Sequence, residues 1–230
     1  MHVKELWRYP VKSMRGEPLS AADIRLGGIS GDRLVHAQDA RGLITARTTP
    51  ALLGLRATLG EDGEALVEGD PWWHPRVAAL VHAAAGPQAR LVPYDGPERF
   101  DILPLLVATD GAIAAFGRDT RRLRPNIVVG GVEGLAERNW EGRGMMIGPV
   151  AVYLDSLRPR CVLTTYDPDT LEQDLEVLRD IRRRFGGAVA LNTAVLTPGF
   201  VRVGDPVRLL DPDETSELQK TVSAEARDAG

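Results

Sequence analysis

From Met1 to about Leu91 the chain is a series of short apolar stretches, each stopped within a few residues by Gly, Pro or Asp, as at Gly27-Gly28, Asp39-Ala40-Arg41-Gly42 and Glu61-Asp62-Gly63. The rhythm predicts short strands joined by tight turns. Trp72-Trp73-His74-Pro75 follows one such turn, and two side chains of that size are expected to close an apolar surface. Pro93 to Pro97 reads as a linker. Beyond it, Leu103 to Ala108 reads as a buried strand, and Thr109 or Asp110 can cap a short helix through Phe116. Ile127-Val128-Val129 and Met145 to Leu154 read as further strands. One long helix stands out, from Thr170 to Phe185. Leu171, Leu175, Leu178, Ile181 and Phe185 recur at steps of three or four, and Gly186-Gly187 ends the run. Arg179, Arg182 and Arg183 on its other face are expected to be solvated. Val207 to Leu210 gives a closing strand, and the polar stretch after Asp211 is expected to be a mobile tail. Strands outnumber helices, so the fold class is mainly β with α (α+β). A closed or partly closed antiparallel sheet fits better than a doubly wound parallel one.

With 230 residues, 43% hydrophobic and 26% charged, the composition is that of a globular chain long enough to bury a core. A formal net charge of -4 offers no general attraction to a polyanion, so neither nucleic acid nor an anionic membrane is an expected partner. No apolar run approaches the ~20 residues that cross a bilayer. Arg8, Lys12 and Asp32 interrupt the first turns of sequence, so no signal peptide or membrane anchor is expected. The single cysteine cannot form an internal disulfide, which fits a reducing compartment and gives a cytoplasmic location as the expectation. Neither GxGxxG nor GxxxxGK[ST] occurs, so nucleotide binding through those loops is not supported.

Cys161 lies in Arg158-Pro159-Arg160-Cys161, directly after an apolar stretch ending near Leu157. Neighbouring guanidinium charge favours the thiolate, which is both the nucleophile and the soft metal ligand. On the residues alone, a small buried apolar cysteine remains open. So does a Cys-His catalytic pair, although His2, His36, His74 and His82 are scattered with no motif joining any of them to Cys161. His and Cys do not recur at short spacing, so structural zinc is not expected. Tyr9-Pro10-Val11-Lys12-Ser13 ends a strand in a proline-stiffened turn that aims Lys12 and Ser13 from the strand's end. Gly31-Asp32-Arg33 opens the next strand, and Leu123-Arg124-Pro125-Asn126 puts Arg and Asn at the mouth of another. A lysine, several arginines and an amide can receive a phosphate or a polar heterocycle, because guanidinium matches phosphate geometry and Asn reads ring donors and acceptors. Each cluster alone also reads as ordinary charge at a strand end.

These clusters and Cys161, in this order, resemble the MOSC family, named for the C-terminal domain of molybdenum cofactor sulfurase. The likeness is closest to the branch of the mitochondrial amidoxime-reducing component and its bacterial relatives. It runs over most of the chain, adding Arg47 with Pro50, Glu137 with Trp140, Thr164-Thr165, Asp167-Pro168 and Val203-Gly204-Asp205-Pro206-Val207. The resemblance implies an N-terminal β-rich MOSC-associated domain, placed at residues 1–92, then a MOSC β-barrel at 98–212 and a polar tail at 213–230. It implies the molybdenum cofactor, a molybdenum-bearing molybdopterin, between the two domains. Cys161 would be the metal's thiolate ligand and the catalytic residue, with Lys12, Ser13, Arg33, Arg124, Asn126 and Arg160 holding the phosphate and pterin. The implied activity is reduction of N-hydroxylated or N-oxygenated small molecules. A sulfur carrier or transferase using a Cys161 persulfide, and a cofactor-binding protein without turnover, are the alternatives. Two departures from relatives are visible: their hydroxyl residues just before Pro104 are Ile102 and Leu103 here, and Leu171 stands where Gly often follows Thr170. Some relatives carry a fused ferredoxin domain. These residues do not, and one cysteine cannot hold an iron-sulfur cluster, so the electron donor is expected to be a separate protein of ferredoxin or flavoprotein type.

Overall fold

The computed structural model describes residues 1–94, 96 and 99–228. The first part comprises strands β1 (His2–Arg8), β2 (Glu17–Leu19), β3 (Ala21–Arg25), β4 (Gly28–Ile29), β5 (Val35–Asp39), β6 (Gly42–Ile44), β7 (Ala57–Leu59), β8 (Ala65–Val67) and β9 (Asp70–Pro71), then helix α1 (Pro75–Ala85) and strand β10 (Arg90–Pro93). The second part comprises β11 (Leu105–Thr109), α2 (Asp110–Phe116), β12 (Ile127–Gly130), β13 (Arg143–Ile147), β14 (Val150–Pro159), α3 (Leu175–Phe185), β15 (Ala188–Thr197), β16 (Gly199–Arg202), β17 (Val207–Leu209) and α4 (Pro212–Asp228).

The main sheet runs β17-β13-β14-β15-β11-β12-β1-β2, antiparallel throughout except for the parallel pair β11 and β12. It closes into a barrel because β1 is shared along its length. The C-terminal half of β1 pairs with β2, while its N-terminal half meets the other end of the sheet. There Val207 donates its backbone N–H to Met1 at 3.0 Å, Val3 to Asp205 at 2.9 Å and Gly204 to Val3 at 2.8 Å. Closure leaves those backbone groups paired rather than displayed as a free edge. Leu6, Ile127, Val129, Met145, Ile147, Val152, Leu154 and Leu191 fill the interior. Helix α3 packs outside it, with Val177, Ile181 and Phe185 set against Phe116, Leu123 and Val189.

A second apolar core gathers Val11, Met14, Val35, Leu52, Val67, Val77 and Val81 between the β10-β5-β6 sheet, the β7-β8-β9 sheet and α1. The sheets do not follow a linear division at residue 92. β1 and β2 belong to the barrel sheet, β3 pairs with β16 on one side and with β4 on the other, and Ala22, Ile24 and Ile29 lie in the barrel core. The chain therefore crosses between the cores at 9–13, back at 14–19, at 31–35 and again near 99–104. The linker expected at Pro93 to Pro97 includes Asp95 and Pro97, outside the described residues, and Pro93 itself ends β10.

Three local expectations are corrected. Residues 75–85 form a helix rather than more short strand, because His74 caps it by accepting from Arg76 N–H, Pro75 preorganises its first turn, and Val77 and Val81 share one buried face. Helix α3 begins at Leu175, not Thr170. The Asp167 carboxylate accepts from the N–H groups of Asp169 and Thr170, which fixes a turn there, and Asp174 then caps the helix at Glu176 N–H. Its buried stripe is consequently Val177, Ile181 and Phe185, and Leu175 is exposed. The tail at 213–230 starts as helix α4, fastened where Thr215 Oγ1 accepts from Gly144 N–H at 2.9 Å. Trp72 packs on the second core, whereas Trp73 is exposed.

Candidate functional site

Three of these four crossings line one cleft of about 290 Å³. Lys12 and Ser13 reach it from the end of β1, Arg33 from the turn after β4, Arg124 and Asn126 from the entry to β12, and Arg160 and Cys161 from the end of β14. The seven residues singled out in the sequence thus come together at one rim of the barrel. Arg47, Asp101, Ile102, Arg122, Arg158 and Asn192 join them.

Asp32 ties the clusters together. It is wholly buried, accepts from Tyr9 N–H at 2.7 Å and from Asn126 Nδ2 at 3.3 Å, and pairs with the Arg33 guanidinium. Asn126 lines the cleft, but its amide is already engaged. Oδ1 accepts from Leu106 N–H at 3.1 Å, while Nδ2 also donates to Trp7 O at 3.3 Å, so here it braces the rim. Ser13 Oγ accepts from Ala46 N–H at 3.0 Å, which leaves its own proton to donate. Gly31, with φ +84°, starts the turn that presents Asp32 and Arg33, and a Cβ there would meet Leu59 at 2.7 Å. Ser13, Arg33 and Arg124 themselves have φ of 72°, 51° and 54°. That conformation costs a residue with a side chain about 1 kcal/mol or more, and it recurs where a fold holds functional groups in place.

The charges are one-sided. Among the described residues seven cations line the cleft, Lys12, Arg33, Arg47, Arg122, Arg124, Arg158 and Arg160, against one lining carboxylate, that of Asp101. Asp101 serves three of them, at 3.2 Å from Lys12 Nζ, 2.5 Å from Arg47 and 3.0 Å from Arg158. Burial works to raise its carboxyl, but Lys12, Arg47 and Arg158 together hold it below the usual carboxylate range. Burial also pulls Lys12 below the ordinary lysine range against the opposing effect of Asp101. Burial drives Arg160 down to about 10, with the nearby Arg158 charge adding to it. Arg160 donates to Leu123 O at 2.7 Å, yet its Nε is shielded from water and has no partner among the described residues. Tyr9 lies between two guanidinium groups, Arg124 at 4.2 Å and Arg33 at 5.5 Å from its ring centroid. Its phenol, raised by burial, donates to Pro125 O at 3.1 Å. Such a concentration of cations, most of them partly buried, is a receptor for an anion.

Cys161 is partly exposed in this cleft, which the Arg47 guanidinium that holds Asp101 also lines. Among the described residues no three His, Cys, Asp or Glu side chains are grouped to hold a metal ion, so a metal at Cys161 would draw its other ligands from outside the described residues. An anionic group bringing sulfur ligands of its own suits that set: a soft thiolate, a cation cradle and an unsatisfied Arg160 Nε. Sequence reasoning had flagged Arg158 only as a neighbour of Cys161 and had given Asp101 no role, since nothing local to Phe100-Asp101-Ile102 signals a partner 50 or more residues away.

Over a 283-residue alignment covering 90% of this chain and 82% of its own length, the human mitochondrial amidoxime-reducing component 1 is 28% identical. Mitochondrial amidoxime reducing component 2 of Macaca fascicularis is 26% identical over 89% of this chain and 82% of its own. Both alignments are longer than this chain, so these relatives carry insertions. A solved structure of the YUAD protein from Bacillus subtilis aligns with 90% of this chain and 93% of its own at 14% identity, a loose superposition with a TM-score of 0.47. Residues 1–79 match the MOSC N-terminal beta barrel domain and residues 112–208 the MOSC domain, so the chain belongs to the MOSC family.

Proposed function

We propose that the protein is a molybdenum-cofactor-dependent oxidoreductase that reduces N-hydroxylated small molecules with electrons from a separate protein. The observation that carries this reading is the meeting of Cys161 with a partly buried arginine and lysine cradle in one cleft. The names of the relatives, amidoxime-reducing components, supply the reaction class. Cys161 would ligate the metal, steadied by the Arg47 guanidinium. Lys12, Ser13, Arg33, Arg124 and Arg160 would hold the phosphate and pterin, with the free Arg160 Nε taking one acceptor. Asn126, through Asp32, would keep Arg33 aimed. When bound, the cofactor supplies the two-electron chemistry that takes oxygen from nitrogen. The reaction consumes two electrons and two protons and yields the amine or amidine and water. The one cysteine of these residues cannot hold an iron-sulfur cluster as well, which supports an external donor of ferredoxin or flavoprotein type. A thiol kept reduced for this role supports a cytoplasmic location, and no helix among the described residues is long and apolar enough to cross a membrane.

The test is turnover of an arylamidoxime by metal-loaded protein given a chemical one-electron donor. Stoichiometric amidine is the expected product. Loaded protein that forms none contradicts the reductase reading and favours cofactor binding without turnover.

A further inference from the structure

Beside the cations, one stretch of the cleft lining is apolar and only partly buried. Phe100, Ile102 and Leu103 border the same space as the cations. The strap carrying them is pinned on both sides of Phe100. Arg99 donates to Gly27 O at 2.6 Å, and its carbonyl accepts from Lys12 Nζ at 3.1 Å. Asp101 is gripped by Lys12, Arg47 and Arg158. The Phe100 ring lies 4.6 Å from the Arg99 guanidinium and 5.6 Å from that of Arg33. Ile102, between the pinned Asp101 and Leu103, remains 49% exposed while lining the cleft.

A lone exposed isoleucine is ordinary on a protein surface. Held on the wall of a pre-formed charged cleft, it bears on what else can enter. A polar ligand body would lose water against Phe100, Ile102 and Leu103 with no hydrogen bond in return, whereas an aryl or alkyl body gains by covering them. We infer that these three residues form an apolar lip that selects neutral N-hydroxylated compounds with an aryl or alkyl body, and that Ile102 is the specificity-determining contact. The inference rests on the reductase reading and deepens it by naming the substrate class.

Two neutral probes of matched size test it on the full, metal-loaded chain: 4-isopropylbenzamidoxime and 4-carbamoylbenzamidoxime. Kd is read by calorimetry and kcat/KM by turnover. The wild type is expected to favour the isopropyl probe about tenfold on both measures. Ile102→Ser should remove most of that preference by weakening the isopropyl probe alone, and Ile102→Leu should retain it. Because the side chain is half exposed, neither change threatens folding. Equal affinity for the probes, no binding of the isopropyl probe, or a preference untouched by Ile102→Ser overturns the lip. Calorimetry separates this from the underlying reading. Ile102-dependent binding without turnover of either probe keeps the lip and removes the reductase, whereas turnover indifferent to Ile102 keeps the reductase and removes the lip.

Discussion

A carboxylate with no exposed surface needs partners, and Asp32 finds them on three different segments, in Tyr9, Arg33 and Asn126. Those segments are the ones the sequence marked for ligand binding, so Asp32 organises groups that it does not outrank in chemistry. Asp32→Ala should therefore cost about 3 kcal/mol, because it strands a guanidinium and an N–H in a dry site. Urea unfolding of the variant checks this, and a loss below about 1 kcal/mol would mean that the three segments hold their places without it. Lys12, Ser13, Arg33, Arg124, Arg160 and Cys161 were legible because each sits beside a proline, glycine or strand end that gives it local punctuation. Asp101 and Arg47 were not given roles, since what distinguishes them is an ion pair across 54 residues. Asn126 was legible as a cleft residue but not as a brace, which depends on Trp7, Asp32 and Leu106 being close in space.

Among the elements, helices with a strong apolar period and a glycine stop were readable, and those whose signal lay in the cap were not. Helix α3 shows both cases. Its end at Gly186, φ 61°, follows from the glycine, but its start depends on Asp174 capping at Glu176 N–H, five residues beyond the expected start. Asp174→Ala should cost about 1 kcal/mol and fray the first turn. The loss should appear as a lowered urea midpoint and faster amide exchange at Glu176. Unchanged exchange would show that packing of Val177 and Ile181 alone sets the helix start. Helix α1 escaped notice because its alanine-rich turns carry only Val77 and Val81 as buried markers. Helix α4 looked like a tail because its polar composition hides such fastenings as Thr215 to Gly144 and Glu214 to Arg208.

At the scale of the whole molecule, the site exists because the chain passes between two cores more than once. β1 belongs to the barrel and Val11 to the second core, and the return from β10 to β11 carries Phe100 to Leu103 past the same opening. Alternation and turn spacing made the β-rich class legible, but pairing β1 with β12 and with Asp205–Val207 requires contacts across more than 120 residues, which no local pattern encodes. The central claim is that this junction holds a molybdenum cofactor through Cys161. The measurement that tests it is molybdenum per chain, by mass spectrometry, for wild type and Cys161→Ser purified from a host that makes the cofactor. The account predicts near-stoichiometric metal in the wild type and a sharp fall in the variant with its fold intact. Metal-free wild type from that host would contradict it, and sulfane sulfur on Cys161 in the same sample would point instead to a persulfide carrier.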